Sequence, residues 1–158
     1  MNTSDACDYI IVKLSEGGVF LNVLKLHKLL YYCQAWNLAF GRGQLFQSSF
    51  QAWVHGPVSR EIYDRFVQSK ALYSPVSTND IRDGFDPGAL PEHERAVLNS
   101  VLEVYAPLSG DQLEEMTHRE DPWIEARAGV APAARSENII SEATMQRFYA
   151  ARLEAKTH

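Results

Sequence analysis

Two histidines, His55 and His118, could act as general bases if the fold brings a carboxylate to either ring. An imidazole titrates near neutral pH, and its second nitrogen must be held by a partner for it to act as a base. Glu120 and Asp121 follow His118 closely and could supply that partner. The same rings could instead hydrogen-bond to backbone groups where helices begin. We favour this structural or binding role because neither histidine lies beside an obvious nucleophile.

The motifs of the common enzyme classes are absent from the sequence. It contains no G-x-x-x-x-G-K-[ST], no G-x-G-x-x-G and no G-x-S-x-G, which are typical of phosphate loops, dinucleotide sites and hydrolases. The histidines and cysteines show neither H-E-x-x-H nor paired C-x-x-C spacing. We therefore expect no cofactor, no metal and no enzymatic activity. A small hydrolase that uses His55 and His118, with or without a recruited metal ion, remains the alternative.

Aromatic and histidine side chains occur together near two predicted joints of the chain. They are Trp53, His55, Tyr63, His118 and Trp123. Large aromatic side chains carry much of the binding energy at protein interfaces, so an exposed set of this kind would be a partner-binding hot spot. If both tryptophans lie in the core, the set is structural, and the sequence leaves both interpretations open.

Length and composition are those of one globular domain. The chain has 158 residues, of which 46% are hydrophobic and 22% charged, with a net charge of -5. Acidic residues dominate residues 76–158, with 15 against 8 basic ones, and no basic stripe could follow a phosphate backbone. A basic protein partner therefore suits the chain better than nucleic acid. No apolar run is long enough to span a membrane, so we expect a soluble cytoplasmic protein whose Cys7 and Cys33 are buried and reduced.

A central helix is predicted to begin after Asn22 and to end at Gly41. Its apolar residues cover most of its circumference, and only Lys25 and Lys28 indicate a solvated stripe. Three polar residues lie on or beside the apolar face and must find hydrogen-bond partners if they are buried. These residues are His27, Gln34 and Asn37.

The stretch WVHGPV, residues 53–58, is predicted to join an extended segment to a helix. Partial alternation over residues 45–54 favours a short strand. Gly56 permits a tight backbone path, and Pro57 suits the first turn of a helix. That helix would bury an i, i+4, i+8 row of Val58, Ile62 and Phe66.

Capping residues predict the other helices. Thr3 or Ser4 would cap the first one, and Pro91 would open a helix after an irregular segment over residues 71–91. Ser109 and Gln112 have the spacing of a capping box, which indicates a short acidic helix.

Further turn signals follow towards the C-terminus. Asp121 would cap another short helix with Pro122 in its first turn, and Ser141 would cap the last helix, with fraying after Leu153. We therefore predict one compact, mainly α domain over residues 1–158, with about six to seven helices and at most one small two-stranded β element.

Three motifs in this order resemble the Panacea-domain family, which includes SocA-like antitoxins and phage-associated GepA-like proteins. The first is K-L-x-K-L-L-Y-Y at residues 25–32, the second is W-x-x-G-P-V at residues 53–58, and the third is T-H-x-E-x-P-W at residues 117–123. The resemblance covers residues 5–150.

The resemblance implies a mostly helical antitoxin that binds and neutralises a toxin encoded beside it. For one SocA-like member it also implies delivery of the toxin to a protease. Whether the chain forms a homo-oligomer is left open. Besides the hydrolase, a DNA-binding autoregulator is a further alternative, and the acidic balance of the chain argues against it.

Overall fold

Seven helices and one β-hairpin make up the described part of the chain. The computed structural model describes the backbone of residues 1–157 and the side chains of residues 1–153. The elements are α1 (Thr3–Glu16), α2 (Val23–Ala39), β1 (Phe50–Trp53), β2 (Gly56–Ser59), α3 (Arg60–Phe66), α4 (Glu92–Tyr105), α5 (Gly110–His118), α6 (Asp121–Ala126) and α7 (Glu142–Thr157). The predicted fold class, mainly α with one small two-stranded element, is confirmed. Fraying was predicted after Leu153. The side chains that follow Leu153 and the terminal residue lie outside the described part of the chain, so fraying stays a prediction.

Helix α2 forms the centre of the domain, and every residue from Val23 to Leu38 is buried. The prediction that Lys25 and Lys28 face solvent is wrong. Lys25 Nζ donates to the carbonyl oxygens of Phe20, at 3.2 Å, and Ala106, at 2.6 Å. Both lysines are enclosed because α4, α5 and the hairpin also pack against α2, and a helical wheel of one segment cannot show these neighbours.

The three buried polar residues of α2 find partners, as predicted. Gln34 Nε2 donates to the carbonyl of Phe46 at 2.7 Å, and its Oε1 accepts from the backbone N–H of Leu45 at 2.8 Å. Asn37 Nδ2 donates to a carbonyl in the following turn at 2.8 Å. His27 Nδ1 accepts from the Ser59 N–H at 3.3 Å, and burial lowers the pKa of His27 to about 3, so the ring is neutral. These bonds fix the path of the chain from α2 to the hairpin.

Strands β1 and β2 pair antiparallel, with Ala52 opposite Pro57. The prediction that Pro57 opens a helix is wrong, because Pro57 lies in β2 and α3 begins at Arg60. A fixed φ near −65° suits the first turn of a helix and also an edge position in a sheet, and pairing with β1 selects the strand. The predicted apolar row of Val58, Ile62 and Phe66 is buried, although its first member belongs to β2.

The tight backbone path predicted at Gly56 is confirmed. Its φ is +105°, and a Cβ atom there would lie 2.6 Å from Lys28 Cε and 2.9 Å from Thr117 Oγ1. Only glycine fits this position without displacing its neighbours. The hairpin therefore lies directly on α2 and α5.

The irregular segment over residues 71–91 contains two short 3-10 turns and is held to α1 by ion pairs. Asp8, which is fully buried, contacts Arg65 Nη2 at 2.6 Å and Arg82 Nε at 2.6 Å. Asn2 caps α1 by accepting from the backbone N–H of Asp5, so the predicted cap at Thr3 or Ser4 is wrong by one or two residues.

Local capping signals place the C-terminal helices well. Ser109 and Gln112 form the predicted capping box, with bonds of 2.8 and 3.1 Å. Glu120, rather than the predicted Asp121, occupies the N-cap of α6, and Pro122 lies in its first turn as expected. Ser141 Oγ accepts from a backbone N–H in the first turn of α7 at 3.2 Å.

The two cysteines, Cys7 and Cys33, are buried and unpaired, as predicted. Burial raises the pKa of Cys7 to about 12, so this thiol stays protonated at neutral pH.

Candidate functional site

Four of the five residues predicted as a partner-binding set lie in direct contact at one end of the hairpin. The rings of Trp53 and Tyr63 meet edge to face, with centroids 4.8 Å apart. The rings of His118 and Trp123 stack at 4.2 Å. Trp123 Nε1 donates to the carbonyl oxygen of Trp53 at 2.9 Å and joins the two pairs. We call the surface formed by Trp53, His55, Tyr63, His118 and Trp123 the hairpin face.

The hairpin face is neither core nor fully solvated. Trp53, Tyr63, His118 and Trp123 are half-buried, and His55, at the turn between β1 and β2, is exposed. Neither Trp53 nor Trp123 is a core residue, so the alternative that both lie in the core is wrong. Rings held on one side by the fold and open on the other are preorganised for contact with a partner.

The two histidines do not form the predicted pair with Glu120 or Asp121. His55 Nδ1 lies 2.9 Å from Glu114 Oε1, a carboxylate that the sequence did not single out. Partial burial lowers the pKa of His118, and the nearby Glu114 carboxylate opposes this shift. Glu114 therefore provides the negative charge at this end of α5.

A groove of about 740 Å³ opens beside the hairpin face. One wall consists of hairpin and α3 residues, including Arg60, whose guanidinium lies 5.3 Å from the Tyr63 ring centroid. The other wall is the connector over residues 135–137, where Glu137 pairs with Arg60 at 3.1 Å. Arg135 also lines the groove and makes no ion pair with any other described residue. The groove thus combines aromatic surface with one cation available to a partner.

Arg127, which sequence reasoning missed, holds the connector of this groove against β1. It is buried, its Nη1 donates to the Ala52 carbonyl at 2.9 Å, and its Nη2 donates to the Ala134 carbonyl at 2.7 Å. Its guanidinium also lies 5.2 Å from the Trp123 ring centroid. The connector also bonds to β1 through the backbone, because the Ala52 N–H donates to the Asn138 carbonyl at 2.8 Å. In the sequence, the one local sign that Arg127 could hold the connector to β1 is its position directly after a short predicted helix.

Lys28 supports the hairpin from below and was also missed. Its Nζ donates to the Pro57 carbonyl at 2.9 Å, and no part of the side chain is exposed. Burial lowers the pKa of Lys28 to about 7, and the Glu114 carboxylate opposes that shift. Buried polar contacts from Lys28 in α2 and from Arg127, directly after α6, therefore hold the hairpin in addition to the pairing of its two strands.

Glu120 belongs to a separate buried network on the α7 side of the domain. Its Oε1 accepts hydrogen bonds from Tyr32 and Tyr149, both at 2.7 Å, and its Oε2 pairs with Arg152 at 3.2 Å. Burial raises the pKa of Glu120, and the two phenol hydrogen bonds and Arg152 oppose this shift. This carboxylate ties α7 to α2 and is not available to the histidines.

Among the described residues, no group of three or more His, Cys, Asp or Glu side chains is arranged to hold an ion. None of the helices in the described part of the chain is long and apolar enough to cross a membrane.

Comparison with known proteins identifies one family. The family model described as "Antitoxin SocA-like, Panacea domain" matches residues 26–124. This stretch runs from α2 into α6 and includes the whole hairpin face. No curated protein and no solved structure matches the chain.

Proposed function

Because this chain belongs to the SocA-like antitoxin family with a Panacea domain, we propose that it neutralises a protein toxin by binding it directly. The toxin would be the product of a gene next to its own. Binding of the toxin to the folded antitoxin removes free toxin by mass action, and no catalytic step is needed. The observation that carries this proposal is the hairpin face with its adjoining groove.

The composition of the hairpin face supports binding. Trp, Tyr and Arg are the residues most often found at interface hot spots, and Trp53, Tyr63 and Arg135 line the same groove. The rings are already held in place by neighbouring residues, so little side-chain entropy is lost when a partner packs on them. We propose that a loop of the toxin enters this groove and places an acidic side chain near Arg135.

The test is co-expression and co-purification of the chain with the product of the adjacent open reading frame. The adjacent product should arrest growth when expressed alone, and the chain should relieve the arrest and co-purify in a stable complex. An adjacent product that is not toxic, or whose toxicity is not relieved, would overturn the proposal. In that case, stoichiometric bound metal that is lost on His55→Ala and His118→Ala would favour the hydrolase.

Two variants locate the contact. Trp53→Ala and Arg135→Glu should each weaken the complex at least tenfold, and Arg135→Glu changes an exposed side chain, so it should leave the fold intact. The matched control is Val104→Ala on α4, an exposed apolar side chain that lines no part of the groove. Equal affinity in all three variants would remove the hairpin face from the interface.

The fate of the complex is a separate proposal. We propose that a protease can act on the complex, as the family resemblance implies for one SocA-like member. Following the half-life of the toxin with and without the chain tests this, and an unchanged half-life contradicts it.

A further inference from the structure

A second groove, of about 650 Å³, lies between α6 and α7 on the other side of α6 from the hairpin face. Ile124 and Phe148 provide its apolar floor. Ile124 is 46% exposed. Ile124 therefore leaves apolar surface of the floor open to a partner.

The floor is rigid. The Phe148 ring packs edge to face on the buried Tyr149 ring, with centroids 5.0 Å apart. The Arg152 guanidinium also lies 4.6 Å from the Phe148 ring centroid. Arg152 is itself held by its ion pair with Glu120 at 3.2 Å. The Phe148 ring is therefore held by its neighbours before a partner binds.

Charge is divided between the two walls of the groove. The α6 wall carries Asp121 and Glu125, and the α7 wall carries Arg147 and Arg152. Thr144 bridges the walls, because its Oγ1 donates to Glu125 Oε2 at 2.6 Å and accepts from Arg147 Nη2 at 3.3 Å. An acidic wall on the α6 side and a basic wall on the α7 side thus flank the apolar floor.

We propose that this groove binds an amphipathic α-helix of the toxin, whose apolar ridge has basic residues on the side facing α6 and acidic residues on the side facing α7. The inference rests on the proposed function and specifies a second contact for the same partner. A groove between two packed helices accepts the side-chain ridge of a third helix. The opposite charges of the walls fix the direction in which that helix lies along the groove, because the reversed direction would exchange its flanks and bring like charges together.

Continuity between the two surfaces supports a single partner. Trp123 belongs to the hairpin face and its neighbour Ile124 to the second groove, so α6 separates the two by one helix width. Stable protein complexes bury about 1,600 Å² in total, which is more than one small groove offers, so an interface that crosses α6 is the natural way to reach that size. The family model matches the chain up to Ile124, so Asp121 and Ile124 lie within the matched stretch, whereas Glu125 and the α7 wall lie outside it.

The test uses the full chain and its purified toxin in a quantitative binding assay. Ile124→Asp places a charge on the apolar floor and should weaken binding at least tenfold. Arg147→Glu should weaken it about fivefold or more, with the loss diminishing at high salt. The matched control is Val104→Asp, which places the same charge on a similarly exposed apolar side chain of α4 and should leave affinity within twofold.

Charge reversal on the toxin tests the stated chemistry of the partner. If an acidic residue of a toxin helix faces α7, changing it to Lys should restore binding to Arg147→Glu and weaken binding to the unmodified chain. Loss of binding in Arg135→Glu but not in Ile124→Asp or Arg147→Glu would overturn this inference and leave the proposed function standing. Absence of any complex with the unmodified chain would instead remove the proposed function itself. Rescue by a residue that lies outside any toxin helix would also overturn the inference.

Discussion

The indole N–H of Trp123 is hydrogen-bonded to the backbone carbonyl oxygen of Trp53 at 2.9 Å, which attaches α6 to strand β1. These residues are 70 positions apart in the chain, and each also contributes a ring to the hairpin face. A single bond thus orients the two halves of this surface relative to each other.

Replacing that indole with a phenyl ring tests the bond. Trp123→Phe keeps an aromatic ring beside His118 but leaves the Trp53 carbonyl without this donor. We expect the free energy of unfolding to fall by about 1–2 kcal/mol, since one hydrogen bond and part of a large ring are lost. Urea denaturation measures this change, and an unchanged midpoint would show that the bond does not hold α6 in place.

Gly56→Ala should destabilise the domain more than an alanine at another glycine with positive φ. Besides backbone strain, the added Cβ would lie 2.6 Å from Lys28 Cε, so we expect a loss of about 2–4 kcal/mol. Gly84→Ala is the matched control, because its φ is +78° and nothing lies within 4 Å of the new atom. Strain alone should cost about 1 kcal/mol there. Equal losses at both positions would contradict close packing of the hairpin on Lys28.

The buried amine of Lys28 predicts a specific pH dependence of stability. Its pKa falls from 10.5 to about 7 on folding, so between these values the native state binds fewer protons than the unfolded chain. The contribution of Lys28 to stability is therefore fully present above pH 10.5 and is lost as the pH falls through about 7. Its largest slope is about 1.4 kcal/mol per pH unit.

Lys28→Met removes this titration and keeps most of the side-chain volume. The difference in unfolding free energy between the original chain and Lys28→Met should change in favour of the original chain as the pH rises from 7 to 10. Titration of groups that do not interact with Lys28 cancels in that difference, and the nearby His27 and His118 have pKa values lowered below their ordinary value, so they contribute little between pH 7 and 10. A difference that is constant with pH would mean that the amine stays protonated in the folded state.

Asp8→Asn should loosen the segment over residues 71–91. The substitution leaves Arg65 and Arg82 without their shared buried carboxylate, and breaking a buried pair of this kind costs about 3 kcal/mol. Arg82 is partly exposed, so solvent screening reduces that cost. Trypsin should then cleave after Arg82 faster than in the original chain. Asp64→Asn, which alters an exposed pair with Arg60, is the control and should leave cleavage unchanged.

Local signals in the sequence predict helix starts well, because a cap depends on residues within one turn. Asn22 and the Ser109 capping box illustrate this. The role of Pro57 could not be decided locally, since strand and helix both accept its φ and only pairing with β1 selects between them. The burial of Lys28 likewise depends on the hairpin, which begins more than 20 residues later.

Trp53, Tyr63, His118 and Trp123, which the sequence singled out, lie in contact, and their role in binding stays a prediction. The residues that support them were not predicted. Arg127 bonds to carbonyls of β1 and of the connector, and no sequence pattern specifies such long-range partners.

The burial of α2 along its whole length has a consequence for amide hydrogen exchange. Because every residue from Val23 to Leu38 is covered, its backbone N–H groups can reach water only when the surrounding helices separate. Their exchange rates under native conditions should therefore report global opening of the domain. A bound partner should lower the exchange rates of all α2 amides by the same factor, wherever on the surface it binds. Hydrogen exchange in α2 therefore measures the affinity of the complex.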